Sequence, residues 1–343
     1  MDFLKNFQLS SDSSDGESRE NRFLNQDNIL WQLKQSREDI NICFFGDETW
    51  LRLFPSTDGN KIFTRHEGVT SFYVQDFYTV DHNVTNNLKL EAAVYGASSC
   101  RFIILHYLGL DHIGHVHGPT ERPDLITKKL LEMNSVIEFI LTELGDQKAP
   151  NLLLVTGDHG MANIGGHGGS SFEETHTPLM SIPFGQSFMK NIASMNSEEK
   201  DKIAQLISQE DFAPTLTALF GLKPPADSVG RLIPQLLRPF KSKKDLVSSY
   251  HKNCYNLLQK MSEPEERLIY SEKLVNLSQV DKLTLDDEVS LSKLLQDVIN
   301  LEFQLSSVVR KSSKVGTDLV TKILVCTLVC IVLITISEVC VYE

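Results

Sequence analysis

Three short apolar runs constrain the fold of this chain more than any other feature. Ile42-Cys43-Phe44-Phe45, Phe102-Ile103-Ile104-Leu105-His106-Tyr107 and Asn151-Leu152-Leu153-Leu154-Val155-Thr156 lack the polar alternation of a half-exposed strand. A strand with one face in water alternates apolar and polar residues, so a near-continuous run belongs to a strand covered on both faces. Between the runs lie stretches with helical spacing, Asp27 to Ser36, Asn83 to Ala93 and Leu125 to Leu144. Buried strands alternating with helices predict an α/β fold, a mostly parallel sheet with helices on both faces. Ligands of such sheets sit beyond the carboxyl ends of the strands. The first run ends there in Gly46-Asp47, and the other two run into clusters of Asp and His.

The flanks differ from this middle. Residues 1–25 are polar and include the acidic low-complexity run from Ser10 to Ser18, which predicts a disordered head. No charged segment followed by an apolar one succeeds Met1, so no secretory signal is expected there. The α/β domain is expected over 26–240, followed over 241–318 by polar amphipathic helices. Among these, Asp286 to Val309 contains neither Gly nor Pro. Leu319 to Val341 carries charge only at Lys322 and Glu338. At ~1.5 Å per residue this stretch reaches roughly 34 Å, enough for a bilayer core of ~30 Å, so a C-terminal transmembrane helix is predicted over 319–341.

Charge narrows the partners. With 33 Lys and Arg against 45 Asp and Glu, the net charge is −12, and the chain has no basic footprint for nucleic acid. A phosphate-bearing substrate would then need a metal or a local positive site to offset repulsion. Of six cysteines, Cys326, Cys330 and Cys340 lie in the apolar tail. Cys43, Cys100 and Cys254 remain and allow one bridge at most, which leaves the redox compartment open.

The chemistry lies in two segments. Residues 106–118 read His-Tyr-Leu-Gly-Leu-Asp-His-Ile-Gly-His-Val-His-Gly, with Asp111 and His115 four apart just beyond a strand. Residues 157–161 read Gly-Asp-His-Gly-Met, and Gly166-His167-Gly168 follows. Carboxylate oxygen and imidazole nitrogen together suit divalent zinc or manganese without thiolate. A single His is usually a surface or satisfied core residue, and His106, His112, His117 and His176 are read that way. Three matched positions around two strand ends are not.

The set Asp111-x3-His115, Gly157-Asp158-His159-Gly160-Met161 and Gly166-His167-Gly168 resembles the alkaline-phosphatase superfamily of two-metal phosphotransferases and phosphodiesterases. His106 to His115, Phe45-Gly46-Asp47-Glu48-Thr49-Trp50, Ser71-Phe72 and Asp81-His82-Asn83-Val84-Thr85 narrow the match to the GPI ethanolamine phosphate transferases, within them those acting on the second mannose. The resemblance covers about residues 26–240. Gln209 to Leu216, with Gly221 and Gly230, is similar to the superfamily's closing helix. It implies an alkaline-phosphatase-like fold in which Asp111, His115 and His167 hold one metal and Asp158 and His159 the second. The metals, zinc or alternatively manganese, would clamp the phosphoryl oxygens and activate the nucleophile. The implied reaction moves phosphoethanolamine from phosphatidylethanolamine to a mannose of the GPI precursor glycolipid. It takes place at the endoplasmic reticulum membrane, on the lumenal side, with a small multi-spanning membrane subunit as partner.

The family also uses an early Asp at the end of a strand and a nucleophilic Thr, both upstream of the stretch matching Asp27 to Trp50. Residues 1–25 hold no such strand, and no Thr precedes Thr49. This chain is therefore expected to hold one metal and to lack the nucleophile. A non-catalytic, membrane-anchored binding protein or subunit on the same fold is the alternative. A sulfatase is excluded, since no Cys or Ser precedes x-Pro-x-Arg. Nucleotide pyrophosphatases and phosphoglycerate mutases share Asp-His-Gly but leave the apolar tail unexplained. Arg310, Lys311, Lys314 and Lys322 before that tail would by themselves leave the domain cytosolic. The resemblance places it in the lumen, where the sequons Asn83-Val84-Thr85 and Asn276-Leu277-Ser278 would be accessible, and glycosylation at Asn83 is expected.

Overall fold

A computed structural model describes residues 27–36, 40–55, 61–96, 99–145, 148–185, 206–280, 288–313 and 330–335. The three apolar runs are strands β1 (Ile42–Asp47), β3 (Phe102–His106) and β4 (Asn151–Thr156). They are joined by β2 (Arg65–Val69), β5 (Leu179–Phe184) and β6 (Cys330–Thr335) in one six-stranded sheet of order β2-β1-β3-β6-β4-β5. β2, β1 and β3 run parallel, whereas β6 is antiparallel to both its neighbours and β5 is antiparallel to β4. The α/β expectation is met. The sheet is mixed, with β5 and β6 its antiparallel members.

Helices of the first half are α1 (Ile29–Ser36), α2 (Thr49–Leu53), α3 (Thr79–Leu90), α4 (Gly109–Glu121) and α5 (Pro123–Glu143). A π-helical turn at Glu91–Tyr95 extends α3. The second half contributes α6 (Phe172–Thr175), α7 (Phe212–Leu219) after a 3-10 turn at Gln209–Asp211, and α8 (Pro234–Leu237). It ends in α9 (Lys243–Leu258), α10 (Pro264–Val280) and α11 (Glu288–Ser313).

Successive strand residues point to opposite faces, so each apolar run feeds two cores. Ile42, Phe44, Phe102, Ile104, Leu152 and Leu154 pack with α1, α7, α9 and α11 through Leu33, Leu219, Tyr250, Leu257 and Val298. Cys43, Phe45, Ile103, Leu105 and Leu153 pack on the other face with Val84 and Leu88 of α3 and Val136 and Ile140 of α5. α9, α10 and α11 share the core of the first face through Tyr250, Leu274 and Val298. Cys43 and Cys100 form a disulfide between β1 and the approach to β3, and Cys254 is free and buried. Beside the bridge Arg65 Nε donates to Glu91 Oε2 at 2.6 Å.

One expectation is overturned where it can be compared. Within the predicted transmembrane helix over 319–341, Cys330–Thr335 is a strand, not a helical turn. Its β-branched residues Ile331, Val332, Ile334 and Thr335 suit a strand, and the inward edges of β3 and β4 present backbone groups that must be paired. β6 pairs with both, Leu333 opposite Ile103 on one side and Leu153 on the other. Among the described residues no helix is long and apolar enough to cross a membrane. The rest of 319–341, and the polar head over 1–25, lie outside the described residues.

Candidate metal centre

The carboxyl ends of β1, β3 and β4 carry the polar residues singled out in the sequence. β3 leads through Tyr107 and Leu108 into α4, whose i, i+4 spacing sets Asp111 and His115 on one helical face. β4 leads into the loop bearing Asp158, His159 and His167. All five predicted ligands converge. His115 Nε2 lies 3.3 Å from Asp111 Oδ2 and 3.0 Å from His167 Nε2. His167 Nε2 is 3.6 Å from Asp111 Oδ1, and its ring stacks on His159 at 3.7 Å between centroids. His159 Nε2 is 3.1 Å from Asp158 Oδ2.

The donor set fits a divalent cation. Ligand atoms of Asp111, His159 and His167 lie within 4.8 Å of one another. Asp111 Oδ1 is buried and accepts no hydrogen bond, an orphaned acceptor that a cation would satisfy. Two imidazole nitrogens facing one another across 3.0 Å, with a carboxylate between them, point at a common centre. His167 is held below its ordinary pKa, first by burial and then by the neighbouring His159, so the imidazole stays neutral and able to ligate. His159 thus lies close both to Asp158 and to the Asp111 and His167 ligand atoms.

Local contacts hold the cluster. Asp158 Oδ1 accepts the His159 amide at 2.8 Å, and the Gln209 side-chain amide donates to the Asp158 carbonyl. His159 Nδ1 lies 2.8 Å from the Gly160 carbonyl, leaving Nε2 toward the centre. Glu174 Oε1 accepts the Gly169 amide at 2.8 Å and so braces the loop that carries His167. His112 is buried against the Asp76 carbonyl at 2.8 Å, and His117 packs edge-on to Phe77. His176 stacks on Phe172.

Sequence reasoning undervalued Asp47 and His106. Both end strands at this edge, and His106 is 3% exposed with Nδ1 unpartnered. Burial lowers its pKa against the opposing pull of Asp47, Asp158, Asp111 and Asp81, which gather around it. Asp47 accepts both the amide and the hydroxyl of Thr49 at 2.9 Å. Gly46 makes this proximity feasible, since a Cβ there would sit 2.5 Å from His106 Cβ. The signal was present in the adjoining strand ends, Gly46-Asp47 and His106.

Residues 49–219 match the family model for type I phosphodiesterases / nucleotide pyrophosphatases. GPI ethanolamine phosphate transferase 2 of Candida glabrata is 35% identical over 293 residues, 80% of this chain and 34% of the relative. The catalytic subunit of human GPI ethanolamine phosphate transferase 2 is 41% identical over 212 residues, 61% of this chain and 20% of its own length. Over these stretches the chain is homologous to the GPI ethanolamine phosphate transferase 2 proteins. The Schizosaccharomyces pombe transferase 2 is 36% identical over 239 residues, 68% of this chain and 30% of that protein. The chain thus spans about a third or less of the length of these relatives. No solved structure matches it.

Proposed function

We propose that this chain carries metal-binding machinery for phosphoethanolamine transfer in GPI-anchor biosynthesis, from phosphatidylethanolamine to a mannose of the GPI precursor, the second as the sequence resemblance implies. The observation that carries the reading is the convergence of Asp111, His115, Asp158, His159 and His167 at the carboxyl edge of the sheet. Asp111, His159 and His167, with His115 beside them, would hold a zinc ion. Such an ion would supply local positive charge that lets a phosphoryl group approach a chain of net charge −12. Asp158 orients His159 through its amide and ring contacts. Gln209 fixes the Asp158 backbone, and Glu174 fixes the His167 loop. The substrate phosphodiester would thus meet a charge-compensated, pre-positioned edge.

The Cys43–Cys100 disulfide supports an oxidising compartment, in keeping with the endoplasmic reticulum lumen that the resemblance implies. Of the two sequons, Asn276 is exposed on α10, whereas Asn83 is half-buried in α3 and accepts the Asn87 amide at 3.0 Å. A second, multi-spanning membrane subunit belongs to the same reading.

The test has two arms. Zinc titration of the chain should give a single bound ion that Asp111→Asn and His167→Asn each weaken. Phosphoethanolamine transfer should then be restored, in microsomes lacking the endogenous activity, by the chain in its native protein. Zinc uptake without any transfer would favour the non-catalytic binding protein; absence of zinc uptake would refute the metal reading.

A further inference from the structure

We propose that the buried pair Asp81–Lys129 positions the ligand-bearing helix α4, so that Asp81 of α3 acts as an N-terminal cap supplied by a different helix. The inference rests on the metal reading above and assigns a role to two residues outside the cluster.

The first turn of any helix leaves amides unsatisfied, and a Ser, Thr, Asp or Asn at the N-cap usually accepts one of them. α4 has Leu108 at that position, which has no side-chain acceptor. Asp81 Oδ1 takes its place, accepting the Leu108 amide at 2.9 Å and the Gly109 amide at 3.0 Å. A carboxylate at this end also suits the helix dipole. Asp81 is 0% exposed, so its charge needs a partner. Lys129 of α5, 1% exposed, supplies it, with Nζ 2.9 Å from Asp81 Oδ2 and 2.7 Å from Glu132 Oε2.

The grip is tight. A Cβ on Gly109 would lie 2.3 Å from Asp81 Oδ2, 2.5 Å from the Phe77 carbonyl and 2.8 Å from Lys129 Cε. Asp111 follows Gly109 by two residues and His115 by six, at ~1.5 Å of helix per residue. A shift or fraying of this first turn therefore moves Asp111 directly. Three residues before α3, Asp76 Oδ1 accepts the Thr79 amide at 2.7 Å while its carbonyl meets His112 of α4 at 2.8 Å. The same segment is thereby tied to α4 a second time. A buried ion pair contributes little net stability over apolar substitutes, whereas it fixes one arrangement of three helices. Partners that orient metal ligands from behind typically matter about 10–100-fold in metal affinity.

The test is zinc affinity by chelator competition, with the cobalt(II) absorption spectrum as the reporter of ligand geometry. Asp81→Asn keeps the acceptor oxygen and should bind zinc within about threefold of the wild type. Asp81→Ala alone leaves the buried Lys129 ammonium with Glu132 as its carboxylate partner and an emptied site beside it, and risks misfolding, so the informative variant is Asp81→Ala with Lys129→Met, which removes both members of the pair. That double variant should fold, exchange the Leu108 and Gly109 amides faster, bind zinc about 10–100-fold more weakly and shift the cobalt bands. A purely structural role would lower thermal stability and leave affinity and bands of the folded protein as in the wild type. That result overturns the proposal, as does an equal loss in Asp81→Asn and the double variant. Failure of the wild type itself to take up zinc is read before any variant; it would defeat the metal reading and the positioning role with it.

Discussion

Glu302 offers a quantitative test of how α9 and α11 are packed on the sheet. It lies on α11, 2% exposed, with Oε1 accepting the Leu232 amide at 3.0 Å and the Asn253 side-chain amide at 2.7 Å. Burial pushes its pKa up to about 8 from 4.5, against the opposing effect of those two hydrogen bonds and of Arg231. The folded state therefore holds a proton on Glu302 across a range where the unfolded state has lost it. This group's contribution to stability is full below the unfolded pKa and falls as pH rises toward the folded one. The slope is about 1.4 kcal/mol per pH unit, so the loss from pH 5.5 to 7.5 is about 3 kcal/mol. Glu302→Gln keeps an acceptor oxygen and cannot ionise. Any cost of fitting the amide is a constant offset, while the pH-dependent loss disappears. Urea unfolding of wild type and variant at pH 5.5, 6.5 and 7.5, followed by Trp31 and Trp50 fluorescence, should show the variant gaining on the wild type by about 3 kcal/mol over that span. Parallel dependence of the two proteins on pH would refute the protonated, buried Glu302.

Other predictions follow from the site and the core. Asp158→Asn in the native full-length protein should abolish transfer with the fold intact, as judged by circular dichroism; unchanged transfer would remove Asp158 from the site. Gly46→Ala should destabilise by about 1–3 kcal/mol, because the added Cβ meets His106, and should weaken zinc binding by displacing that strand end. Cys43→Ser with Cys100→Ser should lower stability by roughly 2–5 kcal/mol in urea unfolding, since the bridge joins residues 57 apart. A non-reducing peptide map that finds both thiols free in the native protein would contradict the bridge itself.

Much of the site was legible in the sequence because its signals are local. Asp111 and His115 stand at helical spacing, and Asp158-His159 and His167 follow one strand in a single loop. An apolar run before each group tells where in an α/β sheet it must lie. Asp47 and His106 were harder to value. Their importance depends on two parallel strands ending side by side, and on Gly46 permitting the approach. Asp81 was visible only as part of a motif, because capping a helix that begins 28 residues later is a tertiary event.

By itself, then, the sequence determined the α/β class, the three buried strands and the five polar residues that meet at one sheet edge, since hydrophobic periodicity and residue spacing are short-range properties of the chain. Tertiary structure decided what short-range signals leave degenerate. An uncharged β-branched run reads equally as a membrane helix or a buried strand; the unpaired edges of β3 and β4 made Cys330–Thr335 a strand. Three cysteines allowed three pairings; the approach of β1 to the start of β3 chose Cys43 and Cys100. Residue spacing left the mutual distances of the candidate ligands open; the loop after β4 brings His159 and His167 together over Asp111. In each case the deciding contact joins residues far apart in the chain, and only the folded backbone brings them within reach.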